Sequence, residues 1–214
     1  MALQARAEVT RRRIIETAVE LFSELGYGET GLADVLHRAG VSKGAFYYHF
    51  DSKEAVASAI IDEFDSRTAS AVAENFDPAA PTLDGIVTST FAVQNLMHRD
   101  ATIQTGQMLS QALNQVSGAG SRMYAGWTGR FVAMVKGVAD AGGIRSDVDP
   151  LDVADAIWAG VLGSHLVSAA CGDDPYIRLA RCWRVLVLSI APQDELGRLQ
   201  DLLESTVASS QAAV

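Results

Sequence analysis

The sequence is poor in cysteine, and this scarcity excludes two classes of protein. Cys171 and Cys182 are the only two cysteines in 214 residues. They are too few for a disulfide framework, and they lack the spacing of a zinc site. Both lie in apolar, helix-like segments, which favours small buried side chains in a reducing compartment. We therefore expect no metal and no other cofactor.

Long apolar runs are also missing. The longest, residues 156–170, is interrupted by Ser164, His165 and Ser168, and a membrane span needs about 20 apolar residues. The first charged residues are not followed by an apolar stretch, so the N-terminus does not resemble a signal peptide. These observations predict a cytoplasmic protein with no membrane partner.

Basic residues do not exceed acidic ones, and the formal net charge is −9. Residues 1–53 hold seven basic and seven acidic side chains, whereas residues 54–214 hold the remaining ten basic and nineteen acidic ones. The second part therefore carries the whole acidic excess. DNA binding requires a locally basic face rather than a basic protein, so the charge permits it for the first 53 residues.

Strand patterns are nearly absent, and segments with helical period are separated by glycine and proline. The predicted fold class is all-α, with an N-terminal three-helix domain followed by a larger helical domain. The predicted helices span residues 8–25, 32–39, 43–49, 54–75, 82–98, 101–116, 121–141, 150–171, 175–190 and 192–207.

Several boundaries are predicted from capping residues. Gly26 and Gly40 are expected to end the first two helices, and Asp51, three residues before Glu54, is expected to cap the fourth. Asp149 followed by Pro150 predicts another helix start. Residues 77–81 read as a linker, and residues 117–120 as a break.

Residues 32–50, LADVLHRAGVSKGAFYYHF, have the pattern of a helix-turn-helix. In the turn between the two short helices, Gly40 permits a tight bend and Val41 plugs the core. Ser42 is expected to cap the second helix, so that its first turn can face the major groove of double-stranded DNA.

The side chains left outside this pattern suit DNA contacts. Lysine, tyrosine and histidine can donate to phosphate oxygens. Tyr47 and Tyr48 are adjacent in a helix, so they cannot both point inward and at least one is exposed. Arg11, Arg12 and Arg13 can touch phosphate from the first helix, although a solvated basic start is an equal alternative.

Residues 12–54, with AVELFSELGY, LADVLHRAGVSKGAFYYHF and DSKEA, closely resemble the DNA-binding domain of TetR-family regulators. The resemblance implies a helix-turn-helix DNA-binding domain at residues 1–53 and a ligand-binding and dimerisation domain at 54–214. It implies that Lys53 clamps a phosphate. Members often have Thr or Ser where this chain has Gly31, which offers no hydroxyl. The candidate DNA contacts are Arg11, Arg12, Lys43, Gly44, Ala45, Tyr47, Tyr48, His49 and Lys53.

A finer resemblance concerns QARAEVTRRRII, YYHFDSKEA and Trp127, which are similar to the γ-butyrolactone-receptor branch of that family. In that branch a tryptophan on this helix lines the signal pocket. A buried indole N–H needs a partner, and a lactone oxygen would serve. The alternative for each such residue is ordinary core. The candidate ligand contacts are Thr90, Gln94, Gln104, Gln107, Tyr124, Trp127, Phe131 and His165.

Two helices near residues 150–171 and 175–190 are the expected dimer interface. Small residues at helical spacing admit close helix approach, and family members commonly pair two such helices from each subunit into a four-helix bundle. A buried pair of helices within one chain is the alternative. The candidate interface residues are Ala156, Ala159, Gly160, Gly163, Trp183 and Leu186.

Together these features predict a homodimeric regulator, with repression as the usual family mode, released from a pseudo-palindromic operator by a small hydrophobic effector. An enzyme is one alternative, but no catalytic motif is present and no catalytic residue is proposed. A ligandless DNA-binding protein is another. The sequence does not separate repressor from activator, or name the effector, the operator or the number of dimers that bind it.

Overall fold

The computed structural model describes residues 2–113 and 119–212 of the chain. This part is all-helical and contains no strand, as the patterning predicts. It forms ten helices: α1 (Ala2–Leu25), α2 (Leu32–Ala39), α3 (Lys43–His49), α4 (Lys53–Asn75), α5 (Leu83–Arg99), α6 (Ala101–Ala112), α7 (Ala119–Asp140), α8 (Pro150–Cys171), α9 (Pro175–Ile190) and α10 (Leu196–Ala212).

Most predicted boundaries hold within two residues; α1 starts earlier, α6 ends earlier at Ala112, α10 is shifted towards the C-terminus, and the cap of α4 is not the predicted one. The cap of α4 is Ser52, not Asp51, because the Ser52 hydroxyl accepts from the Ala55 N–H at 3.1 Å. Residues 192–195 form a turn, closed by a Glu195 N–H to Pro192 carbonyl bond, so α10 starts later than predicted. Helix α1 begins at Ala2, six residues before its predicted start. Of the predicted break at 117–120, residues 117 and 118 lie outside the described residues, while Ala119 and Gly120 belong to α7, which contradicts that part of the prediction.

The chain divides into two compact units. The first comprises Met1–Arg67 and Met97–Met123, and the second Thr68–Leu96 and Tyr124–Val214. The first unit thus takes in the helix-turn-helix, most of α4 and all of α6. The functional boundary at residue 53 stays a prediction.

Within the first unit, α4 and α6 pack closely. A Cβ added at Gly106 would lie 2.5 Å from the Cβ of Phe64 and 3.0 Å from the Ile60 carbonyl oxygen. Asp100 caps α6, accepting from the backbone N–H groups of Thr102 and Ile103, and it pairs with Arg67 at 2.7 Å. Burial opposes ionisation of Asp100, but these partners outweigh it and hold its pKa below the ordinary value.

Helix α8 has the predicted bounds, 150–171, and extends beyond the interrupted apolar run of residues 156–170 at both ends. Its 22 residues are long and apolar enough to cross a membrane by length and composition alone. The run itself remains shorter than a span, but the helix that contains it is not. A single helix of this kind is weak support for a membrane protein, because a core helix of a soluble protein passes the same test.

Candidate DNA-binding surface and effector groove

The turn between α2 and α3 has the predicted geometry. Gly40 adopts the left-handed conformation (φ +60°), and its N–H donates to the α2 carbonyls that the helix end leaves open. Gly31 begins α2, where its N–H donates to the Asp34 carboxylate at 2.9 Å. Since glycine has no hydroxyl, only this half of a reciprocal cap is made.

One side of helix α3 packs against the first unit, and the opposite side is exposed to solvent. The Ser42 hydroxyl accepts from the Ala45 N–H at 3.1 Å, which starts the helix. Phe46 is fully buried and Phe50 nearly so, with their ring centroids 6.0 Å apart. These two rings anchor α3 in the first unit and leave its opposite side to the solvent.

That opposite side carries the predicted DNA-contacting residues. Tyr48 is 77 % exposed and Tyr47 46 %, so both tyrosines, and not only one, point outward. The Lys43 ammonium lies 5.9 Å from the centre of the Tyr47 ring. Gly44 is exposed, and a Cβ added there would meet no atom within 4 Å. The fold therefore does not require glycine at this position.

The three predicted DNA-contacting cations outside α3 differ in how they are engaged. Arg11 lies over the Phe50 ring at 5.2 Å, which places it beside the end of α3. Arg12 pairs with Glu16 at 3.0 Å and is highly exposed. Lys53 is half-buried, and its ammonium donates to the carbonyl oxygens of Tyr27 and Thr30. The predicted phosphate clamp is thus engaged inside the first unit.

In the second unit, predicted ligand contacts of α7 join an aromatic cluster with α8. The rings of Trp127 and Trp158 are stacked, with centroids 6.3 Å apart and planes 13° apart. Phe131 and Tyr124 contact the same Trp158 ring at 5.2 and 6.2 Å. No acceptor for the Trp127 indole N–H is found among the described residues.

Trp127 also lines a groove of about 350 Å³ within the second unit. The groove lies between the C-terminal part of α4, the linker after it and α7. Its wall is apolar apart from Arg130, whose guanidinium lies 4.8 Å from the Trp127 ring. The lining residues are Ala69, Val72, Ala73, Phe76, Pro78, Pro81, Trp127, Arg130, Ala133, Met134 and Gly137.

Other predicted ligand contacts do not line this groove. The Thr90 hydroxyl donates to the Val87 carbonyl and accepts from the Trp183 indole at 2.8 Å, so its bonding capacity is used inside the fold. Gln104 belongs to the first unit, is exposed and donates to the His98 carbonyl, which is at odds with a place in a pocket wall.

Three polar residues of the predicted set remain without a bonded side chain. Gln94 is only 3 % exposed, and its amide has no partner among the described residues; buried Gln107 is in the same state. His165 is partly buried with an unpartnered Nδ1, and burial lowers its pKa. Gln107 lies in the first unit and the other two in the second, so the set is not one cluster.

Comparison with known proteins identifies the chain. Residues 14–60 match the family described as "Bacterial regulatory proteins, tetR family". The A-factor receptor protein of Streptomyces griseus is 33 % identical over 193 residues, which cover 89 % of this chain and 67 % of the receptor. The chain belongs to the tetR family. It is a DNA-binding transcriptional regulator and not an enzyme.

Solved structures of tetR-family regulators agree with this assignment. A crystal structure of a gamma-butyrolactone receptor superimposes with a TM-score of 0.81 at 25 % identity, covering 95 % of this chain and 99 % of the receptor. The regulator CprB of Streptomyces coelicolor, solved with its operator sequence, gives 0.77 at 25 % identity, covering the same shares. The resemblance to the γ-butyrolactone-receptor branch is confirmed. Soluble regulators of the family are generally cytoplasmic.

In this tetR-family chain, α8 and α9 carry aliphatic side chains on their outer side. Val185 is 65 % exposed and Leu188 55 %. Ala156 and Ala159 are exposed as well, while Gly163 and Leu186 are partly so. The other outward apolar residues of the two helices are Leu151, Leu166, Val167 and Ile177.

Two predicted interface residues face inward instead. Trp183 has no exposed surface even in the single chain, so its side chain cannot reach a partner subunit, and its N–H is bonded to Thr90. A Cβ added at Gly160 would collide with the Cys182 sulfur, so this glycine lets α8 approach α9 within the chain. Both placements correct the predicted interface.

Some of the residues that sequence reasoning missed carried usable signals, and others did not. Arg130 follows Trp127 by three positions, which places both on one side of α7. Ile177, Val185 and Leu188 are spaced by eight and three residues, which also defines one helix side. The linker prolines gave no such signal, because only the fold brings Pro78 and Pro81 to α7.

Proposed function

We propose that the chain acts in the cytoplasm as a homodimer that binds a pseudo-palindromic operator through two copies of α3. It releases the operator when a small hydrophobic effector of the γ-butyrolactone type binds beside Trp127. The observation that carries the DNA-binding role is the outer side of α3. This side exposes Lys43, Gly44, Tyr47 and Tyr48 together, while Phe46 on the opposite side of the helix is buried.

The chemistry of this side suits a duplex. Lysine and tyrosine donate to phosphate oxygens, and a helix in the major groove must bring its backbone close to base edges. Gly44 is exposed and has no atom within 4 Å of the Cβ position, so it permits this approach. Any larger residue would place its side chain between the helix backbone and the DNA. Arg11, which lies beside Phe50, would add a phosphate contact.

The dimer is supported by α8 and α9. A helix that is hydrophobic all round is normally buried all round. Helix α8 buries Val153, Ile157 and Val161 within the chain, yet Leu166 and Val167 stay exposed on the same helix. A second copy would cover this aliphatic surface without the need for a membrane. The two helix-turn-helix domains (residues 1–53 of each copy, called the heads) would then meet half-sites about 34 Å apart.

The effector site is supported by the groove beside Trp127. Small-molecule sites are mostly apolar with a few placed polar groups. Here the polar groups are the Trp127 N–H, which lacks an acceptor among the described residues, and the Arg130 guanidinium. Both could donate to lactone oxygens. Gamma-butyrolactone is the ligand class named for the similar receptor of known structure.

Release from DNA would proceed through α4. This helix begins at Lys53 in the first unit, and its last turns, at Val72 and Phe76 just beyond, line the groove. An effector that favours one position of these turns would shift the head and alter the separation of the two α3 helices. Allostery of this kind requires the effector to bind the two conformations with different affinity.

The test starts from selection of bound duplexes out of a random DNA pool. The recovered duplex is then titrated with γ-butyrolactones of increasing chain length in a gel-shift assay. Ala133→Phe should fill the groove and abolish effector-induced release while leaving operator affinity intact. Ala125→Phe, which adds the same bulk to an exposed site of α7 outside the groove, is the matched control.

Two outcomes would contradict the proposal. Effector release that survives in the Ala133→Phe variant would move the effector site away from the groove. Operator binding with no response to any butyrolactone would favour a ligandless regulator or a different effector class.

A further inference from the structure

The connection between α1 and α2 is tied to the start of α4 by one side chain. The Lys53 ammonium donates to the Tyr27 and Thr30 carbonyl oxygens at 2.8 Å each, and it lies 4.2 Å from the centre of the Tyr27 ring. Charge-assisted hydrogen bonds and cation–π contacts at such distances are among the stronger polar interactions of a protein.

The connection itself is ordered by its own contacts. Thr30 is buried, and its hydroxyl donates toward the Gly26 and Leu21 carbonyls at 2.8 and 3.3 Å. The Tyr27 ring packs edge-on against Phe22 of α1, with centroids 5.2 Å apart. Lys53 therefore binds a segment that is already fixed to α1 and that leads directly into the beginning of α2.

The number of N–H donors on the Lys53 ammonium bears on whether this residue binds phosphate or acts within the head. An ammonium has three N–H donors, and two of them already serve the carbonyls of Tyr27 and Thr30. A phosphate could be reached only by the third, or by breaking the existing bonds. The geometry thus favours a role inside the head over a phosphate clamp.

We propose that Lys53 is a positioning residue, which couples the α1–α2 connection, and so the helix-turn-helix, to the first turn of α4. Movement of α4 is then transmitted to α3 through a polar contact and not through apolar packing alone. This inference deepens the DNA-binding role, but it does not depend on the effector or on the site proposed for it.

Tyr27 offers a matched pair of variants. Its hydroxyl is buried without a hydrogen-bond partner of normal geometry among the described residues. Burial and the nearby Glu54 carboxylate raise its pKa to about 12, so it stays neutral at pH 7. Tyr27→Phe keeps the ring under the ammonium and removes only this hydroxyl. Tyr27→Leu removes the ring.

The experiment measures operator affinity against salt concentration for full-length Lys53→Met, with duplexes recovered from a random pool and below the unfolding temperature of each variant. A positioning role predicts affinity roughly tenfold weaker with an unchanged salt slope, and faster amide exchange at residues 26–31. A phosphate clamp predicts a slope smaller by about 0.9 per head. A smaller slope would overturn the proposal.

The Tyr27 variants keep the proposal testable if Lys53→Met does not fold. Tyr27→Leu leaves the ammonium available to phosphate, so a positioning role predicts weaker operator binding by the folded protein, again with an unchanged slope. Tyr27→Phe should bind like the parent. A Tyr27→Leu variant that melts at a lower temperature but binds with full affinity would reduce Lys53 to a structural residue and overturn the proposal.

Discussion

The outer sides of α3 and of the α8–α9 pair are both exposed in the single chain, but they expose different chemistry. Helix α3 presents Lys43, Gly44, Tyr47 and Tyr48, which are small, aromatic or charged. The α8–α9 side presents aliphatic residues such as Val185 and Leu188. Water tolerates the first set well and the second poorly.

This difference supports the kind of partner proposed for each surface. Hydrogen-bond donors next to an uncovered backbone suit phosphates and base edges, whereas an aliphatic patch gains most from a second apolar surface. The acidic excess of residues 54–214 points the same way, because net negative charge disfavours contact of that part of the chain with DNA. The predictions below separate the two surfaces by changing one at a time.

The largest effect is expected from Val185→Glu combined with Leu188→Glu. Two carboxylates on the aliphatic surface should prevent dimerisation, and loss of the second head should weaken operator binding by about a hundredfold or more. Analytical ultracentrifugation and gel shifts measure the two effects. Lys136→Glu changes the net charge by the same amount on an exposed site of α7, and it should remain dimeric. A dimeric double variant would contradict the assignment.

Lys43→Ala should have a smaller effect and one confined to DNA. Loss of one phosphate contact per head should weaken operator binding roughly tenfold and reduce the salt slope by about 0.9 per head. Dimerisation should not change. Lys136→Ala removes the same charge from α7 and serves as the control. Equal losses of operator affinity in both variants would mean that net charge, and not the α3 surface, governs binding.

Gly44→Ala should separate stability from binding. Because an added Cβ meets no atom within 4 Å, replacing this helical glycine should stabilise the protein by up to about 1 kcal/mol. Operator affinity should nevertheless fall, since the methyl group lies where the groove is approached. Gly126→Ala, at an equally open site of α7, should give the gain without the loss. Urea unfolding and gel shifts provide both numbers.

Asp100→Asn should give the smallest effect. It tests a pH-dependent contribution to stability that lies within the first unit only. The pKa of Asp100 is lowered, so its contribution is present at neutral pH and is lost as pH falls through the folded-state pKa. The variant keeps a capping side chain but loses the Arg67 pair, and it should be destabilised by about 1 kcal/mol or less at pH 7.

Urea unfolding of the parent and the Asp100→Asn variant between pH 7 and pH 3 checks this dependence. The difference in unfolding free energy should narrow as the pH is lowered, and dimerisation should be the same in both. A difference that stays constant with pH would remove the ion pair with Arg67 as its cause.

Local sequence patterns predicted the structure of the head better than that of residues 54–214. Ser42, Gly40 and Phe46 act through neighbours within a few positions, so the cap, turn and anchor of α3 were predictable. The cap of α4 was missed by one residue because Asp51 and Ser52 are both good caps. Trp183 was misplaced because its partner, Thr90, is 93 positions away in the chain.

The sequence by itself determined the helices, the helix-turn-helix and the tetR-family membership, because capping, periodicity and motif spacing are properties of nearby residues. Only the tertiary structure decided which side of each helix is covered. It engaged Lys53 with the α1–α2 connection, turned Trp183 inward, left Val185 outside and brought the linker prolines to Trp127 and Arg130. These outcomes depend on contacts between distant segments, whose free energies are set by packing and not by local preference.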